Sequence, residues 1–144
     1  MTQTMSVDRL LLSVPQMDAQ HRALICQANE YSDAVDSGAS RAELELRLTQ
    51  LIEGFAIHFV SEEGLMQSNS FPGLTPHAAE HRKLIEQMTA LRDCVAAGDV
   101  QICSALAVYM RLWTEQHIEG LDRTFAQFLH DGNGRGSGLF SIAQ

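Results

Sequence analysis

Histidine falls in phase with the apolar stripe in each of four amphipathic segments of this chain, and that coincidence restricts the fold more than any other feature. The histidines are His21, His58, His77, His81 and His117, five of the six in the chain. Glu62 follows His58 by four residues, His81 follows His77 by four, and Asp122 follows His117 by five. Residues four apart on a helix are stacked neighbours, with about 5–6 Å between their Cβ atoms. His58 with Glu62, and His77 with His81, can therefore each serve one point from one helix face. A chain that buries all of these groups needs four helices with their faces turned to a common interior.

The periodicity supplies those helices. Residues 17–37 place His21, Leu24, Ala28, Tyr31 and Val35 on one face, and Ser37-Gly38 is a helix stop. Ser40, with Glu43 three residues later, is a capping-box start for a second helix. Its inner face reads Leu44, Leu48, Leu51, Phe55, His58, Glu62 and Leu65, before Ser68-Asn69-Ser70 and Phe71-Pro72-Gly73 break it. The third helix starts near Thr75-Pro76, proline being tolerated in a first turn, and turns His77, His81, Leu84, Met88, Leu91 and Val95 inward. After Ala97-Gly98-Asp99 the fourth carries Ile102, Leu106, Tyr109 or Met110, Trp113 and His117 inward, and is expected to end near Leu129.

Short connections between long amphipathic helices predict an all-α fold, an antiparallel up-down-up-down four-helix bundle. Residues 1–16 lack a helical period and are read as an extended N-terminal arm lying across it. Residues 17–130 form the bundle. Residues 131–144 are read as a flexible Gly-rich tail with a small apolar tip, Leu139-Phe140.

At 144 residues the chain is expected to be one domain with a substantial core. Its formal charge of -8 argues against a nucleic-acid surface and against docking on an anionic membrane. The apolar run at residues 10–14 is too short for a signal-peptide core, and far below the ~20 residues of a membrane span. Cys26, Cys94 and Cys103 are odd in number and show no C-x-x-C pairing. They are read as free thiols in a reducing cytoplasm.

One inward histidine is ordinarily a satisfied core residue. Five imidazoles with two carboxylates are a different matter, because each buried unpaired charge costs on the order of several kcal/mol. Metal coordination satisfies them together. Two carboxylates among five imidazoles suit bridging between two metals ~3.5–4 Å apart. With a solvent-derived bridge included, a pair of octahedral metals is then one ligand short, which leaves room for a small molecule. Imidazole suits zinc, copper, iron and nickel, while carboxylates favour harder ions. The mixture points to iron, with manganese and zinc left open by the ligands alone. The five-residue step from His117 to Asp122 puts those side chains ~140° apart on a regular helix. Both reach one site only if the helix is locally widened, as in a π-bulge, and Gly120 between them eases that distortion. His130, outside the pattern, is read as a helix-end cation rather than a ligand.

With these residues the chain resembles the hemerythrin family, of the bacterial single-domain type, over roughly residues 10–130. The matching motifs are Asp18-Ala-Gln-His21, His58-Phe59-x-x-Glu62-Glu63-x-x-Met66, His77-x-x-x-His81 and Trp113-x-x-x-His117-Ile118-x-x-x-Asp122. The resemblance implies reversible dioxygen binding at a non-haem di-iron centre with a hydroxo or oxo bridge. It assigns His77, His81 and His117 to one six-coordinate iron, and His21 and His58 to a second iron with an open position. Glu62 and Asp122 would bridge the two. Leu24, Phe59, Trp113 and Ile118 are nominated from their spacing to the ligands as the lining of a dry ligand pocket.

Departures from the family pattern add Thr114 to that pocket: it stands where many relatives carry leucine, and its hydroxyl would either bond a ligand or admit water. The arm lacks a tryptophan often seen there, and Phe125 stands where tyrosine is common. Glu63 and Glu119 are read as solvent-facing, so no spare acid or base stands near the ligands. Di-iron sites that activate dioxygen in helical bundles are carboxylate-rich, and this one is histidine-rich. The expected function is thus dioxygen carriage, storage or delivery rather than catalysis, by a cytoplasmic monomer. The alternatives are an O2 or redox sensor acting through an unidentified protein partner, and a di-iron enzyme handling peroxide or nitric oxide.

Overall fold

Most helix ends of the bundle have a local chemical reason. In the computed structural model, which describes residues 4–134, α1 spans Pro15–Asp36, α2 Arg41–Ser68, α3 Leu74–Ala96 and α4 Val100–His117. A π-helical turn, Ile118–Asp122, continues α4 without a break into α5, Arg123–Gly134. Proline opens α1, where a missing N–H leaves no helical bond unmade. Ser40 accepts from the Glu43 amide at the start of α2, and Asp99 accepts from the Ile102 amide at the start of α4.

Three helices end in the same hydrogen-bonded motif. After α1, Gly38 donates to Val35 and Ala39 to Ala34; after α3, Gly98 donates to Val95 and Asp99 to Cys94. Both glycines hold the left-handed backbone that this motif needs, with φ of 75° and 85°. After α2 the pattern repeats, Ser70 to Gln67 and Phe71 to Met66, but there a serine takes the left-handed position at φ 55°.

Successive helices pack as neighbours and α4 closes the ring against α1, so the four rods form the antiparallel up-down-up-down bundle. The apolar interior holds Tyr31, Leu48, Leu51, Phe55, Leu84, Met88, Val95, Leu106 and Met110, all with almost no exposure. Met110 rather than Tyr109 faces inward from α4, and Met66 is buried more deeply than Leu65 in α2. Gly54 lets α2 approach α1 closely: a Cβ there would stand 3.2 Å from Leu24 Cδ2 and 2.6 Å from Gln27 Oε1. No described helix is long and apolar enough to cross a membrane.

Two boundaries differ from expectation. The fourth rod does not stop near Leu129 but stays helical through Gly134, because its i,i+4 ladder and the Gln127–Asp131 side-chain bond carry it on. The first four residues assigned to a flexible tail are therefore helix, and the rest of that segment, including Leu139-Phe140, lies outside the described residues. The arm is also less plain than its sequence suggests. It contains a short 3₁₀ turn, Asp8–Leu10, and buries Met5, Leu10 and Leu12. Asn29 brackets Met5 through both backbone groups, Asp18 accepts from the Leu12 amide, and His130 donates to the Leu12 carbonyl. His130 is thus a clasp between α5 and the arm. Arg9 adds an ion pair to Glu115 at 2.6 Å.

Candidate metal centre

Helix geometry brings the seven predicted ligands into one buried chamber. His21 comes from α1, His58 and Glu62 from α2, His77 and His81 from α3, His117 from the end of α4, and Asp122 from the end of the π turn. None is more than 8% exposed, and Asp122 is completely enclosed. The widened turn at Ile118–Asp122 answers the five-residue spacing: with more residues per turn, His117 and Asp122 point the same way. Their side chains close to 3.1 Å, Nε2 to Oδ1.

The donors form two interlocking groups. Glu62, His77, His81, His117 and Asp122 make one, and His21, His58, Glu62 and Asp122 the other, each with its ligand atoms within 4.8 Å of one another. Glu62 and Asp122 belong to both. Within the first group His117 Nε2 lies 3.0 Å from the Nε2 atoms of both His77 and His81. Glu62 Oε1 is 3.2 Å from each of those two histidines. In the second, His21 Nε2 lies 3.1 Å from Asp122 Oδ2 and 3.7 Å from Glu62 Oε2.

These atoms converge on common points rather than on each other. His21 Nε2, both Glu62 oxygens and Asp122 Oδ2 make no aligned hydrogen bond despite their close approach. Orphaned polar atoms this deep destabilise a fold by about 1–3 kcal/mol each. A cation shared among them removes that penalty, so the donor set fits a pair of bound metals.

Electrostatics without a cation agrees. Burial works against the charged forms of His21 and His77, but the adjacent Asp122 and Glu62 outweigh it and push both up to about 9. Burial would raise Glu62, yet the four imidazoles around it hold it well below the ordinary carboxylate range. Asp122 is likewise lowered, against burial and the charge of Glu62, by His117, His21 and His77. Protons on these imidazoles do part of what a metal would do better.

Two further side chains fix the imidazoles, and sequence reasoning missed both. Glu63, read as solvent-facing, keeps only a third of its side chain exposed and accepts a hydrogen bond from His81 Nδ1 at 2.7 Å. Gln20 Oε1 accepts from His58 Nδ1 at 2.7 Å, while its amide nitrogen donates to Ser61 Oγ at 2.9 Å. With the proton held at Nδ1, each ring offers the free pair of Nε2 to the chamber. A signal for them existed. Gln20 adjoins His21 and Glu63 adjoins Glu62, and a one-residue step turns a side chain ~100° around the helix, toward the ligand of the next helix.

The nominated pocket residues divide between the two groups. Phe59 stacks flat on His81, ring centroids 3.8 Å apart and 5° between planes, and also meets His58 at 5.7 Å. Trp113 stacks on His117 at 4.4 Å and 11°, so it braces the three-histidine group. Leu24 and Ile118 are buried beside His21 and His117 in sequence. Thr114, one turn before His117, is 2% exposed, and its hydroxyl has no hydrogen-bond partner. Glu119 is the exposed residue expected, paired with Arg9 at 3.4 Å. Phe125 is fully buried against Phe71, a setting with no demand for a phenol hydroxyl.

Comparison with known proteins points the same way. Residues 12–129 match the pattern of the "Hemerythrin HHE cation binding domain". A bacteriohemerythrin of Methylococcus capsulatus is 30% identical over 112 residues, covering 78% of this chain and 85% of that protein. One from Ralstonia nicotianae is 29% identical, with 78% of each covered. The crystal structure of a wild-type hemerythrin superposes with a TM-score of 0.78 at 27% identity, over 88% of this chain and 97% of the other. A cation-binding pattern that spans nearly all of the bundle, on a fold whose buried donors are arranged around shared carboxylates, leaves one assignment: this chain belongs to the hemerythrin family.

Proposed function

We propose that the chain binds dioxygen reversibly at a pair of non-haem irons, as a carrier, store or delivery protein. The observation that carries this reading is the sharing of Glu62 and Asp122 between the two donor groups. Two carboxylates common to two clusters would bridge a pair of ions at short separation. His77, His81 and His117 would hold one ion, and His21 and His58 the other. The second group supplies one histidine fewer, so the dioxygen position belongs there. When bound there, an iron pair would supply the electrons for reversible dioxygen binding.

The protein's part is to bind, orient and keep dry. Glu62 and Asp122 offset the cationic charge inside a low-dielectric chamber. Gln20 and Glu63 hold two imidazoles in the ligating tautomer. Leu24, Phe59 and Ile118 keep water from the neighbourhood of the ligands, which favours release of dioxygen unchanged. No side chain here acts as a general acid or base in this reading, and the protein works as a cytoplasmic monomer.

One observation favours the sensor alternative. The unpartnered Thr114 hydroxyl is a buried polar group placed to recruit water, which would hasten irreversible oxidation. The test separates the two. Reduced, iron-loaded protein is exposed to air and then degassed while its visible spectrum is followed. A band that rises and then vanishes supports the carrier. Immediate permanent oxidation rejects it in favour of a sensor or an enzyme. Metal analysis should give two irons per chain, and zinc alone would overturn the proposal.

A further inference from the structure

The two imidazoles whose Nδ1 partners are fixed have partners of unlike charge. Behind His81 stands a carboxylate, Glu63 Oε2 at 2.7 Å, half-buried between α2 and α3. Behind His58 stands a neutral amide oxygen, Gln20 Oε1, also at 2.7 Å. The nitrogen of the same amide donates to Ser61 Oγ. The two hydrogen bonds are equal in length and different in chemistry. The buried Nδ1 atoms of His21 and His77 have no such partner.

A carboxylate that accepts from Nδ1–H pulls the ring toward imidazolate character and raises the donor strength of Nε2. An amide does so far less. His81 Nε2 faces the three-histidine group and His58 Nε2 faces the two-histidine group.

We propose that Glu63 and Gln20 make the two metal positions unequal. Glu63, acting through His81, makes the three-histidine position the more electron-rich, the tighter-holding and the harder to reduce. Gln20, acting through His58, orients its ring without adding charge, which leaves the two-histidine position the easier to reduce. The bias puts the more weakly supplied ion at the position that has the fewest protein ligands. Both are positioning residues, since neither reaches the chamber. The inference rests on the ligand assignment given under Proposed function.

The experiment uses the full chain loaded with ferrous iron, and two charge-swapping variants that keep an acceptor oxygen in place. Glu63→Gln removes the charge behind His81, and Gln20→Glu adds one behind His58, with the Ser61 hydroxyl free to turn and donate. Release of iron to a competing chelator and the midpoint potentials of both reduction steps are measured for each. Glu63→Gln is expected to give up one of its two irons 10–100-fold more readily and to shift the second step, that of the three-histidine position, upward. Gln20→Glu is expected to hold iron more tightly and to shift the first step, that of the two-histidine position, downward. Opposite signs are the signature, because a merely structural role would loosen the site in both. Shifts of the same sign, or none, overturn the proposal. If Glu63→Gln does not fold, as judged by helical circular dichroism, the sign given by Gln20→Glu decides alone. Wild-type protein that takes up no iron would overturn the ligand assignment instead, so the two failures are distinct.

Discussion

Around Leu48, Met88, Val95 and Leu106 the four helices meet through hydrocarbon, whereas farther along the same helices they present five imidazoles and two carboxylates to one another. The first region is self-sufficient. Its side chains gain by burial whatever the solution contains, at roughly 25 cal/mol per Å² of apolar surface removed from water. The second region is buried to the same degree but, without a cation, is held only by protonated imidazoles against carboxylates, and is satisfied best by a partner that the chain does not encode. Equal burial therefore has opposite meanings in the two halves: a source of stability in one, a dependence on a ligand in the other.

The sharpest way to break the comparison is to remove a shared carboxylate. Asp122→Ala or Glu62→Ala should lower iron uptake from two ions to at most one per chain and abolish the reversible visible band, as read by metal analysis and spectroscopy. Retention of two irons in either variant would mean that the carboxylates do not bridge. In the apolar half, Leu48→Ala should cost about 2–5 kcal/mol in denaturant melts. That loss should be the same with and without iron, whereas a loss seen only in one state would show that the two halves are not independent.

Acidity offers a third test, on the metal-free chain. The folded values of His21 and His77 lie near 9, above their ordinary 6.5. Groups raised on folding stabilise fully below the unfolded value and lose that contribution as the folded value is passed. The melting temperature of the metal-free protein should thus fall as pH rises from 6.5 through 9. Glu62 and Asp122 are lowered, so their contribution fades on acidification below their ordinary values of 4.5 and 3.8. Iron, which needs the imidazoles deprotonated, should abolish the alkaline loss. A flat profile for the metal-free chain would contradict the ion pairing in the chamber.

Smaller effects are expected from two single groups. Thr114→Leu should slow autoxidation of the oxygenated protein severalfold, and equal rates would remove Thr114 from the pocket's chemistry. Ser70→Gly should raise stability by about 1 kcal/mol, since it relieves a left-handed serine outside both halves. A melting temperature that does not rise would show that Ser70 is held there without strain.

The chamber was more legible in the sequence than its supports. His58-x-x-x-Glu62 and His77-x-x-x-His81 announce themselves because ligands four apart on one helix need no knowledge of any other helix. The π turn at Ile118–Asp122 was legible for the converse reason, as a spacing that a regular helix cannot satisfy. Glu63 and Gln20 gave no such sign. Each serves a histidine on a different helix, so its role depends on the packing of α2 on α3 and of α1 on α2. The anchoring of the arm was illegible for the same reason: nothing in its own pattern predicts that Leu10 and Leu12 are buried, or that His130 reaches back to it across the bundle.

By itself the sequence determined the number of rods, the faces they bury and the donor types on those faces, because 3.6-residue periodicity and capping are properties of short stretches. Tertiary structure alone decided which atoms meet: that Glu62 and Asp122 are common to two donor groups, and that one imidazole is backed by a carboxylate and another by an amide. The reason is range. Periodicity acts over a turn or two of helix, whereas coordination and hydrogen bonding are settled to tenths of an ångström between side chains far apart in the chain, 101 positions for His21 and Asp122.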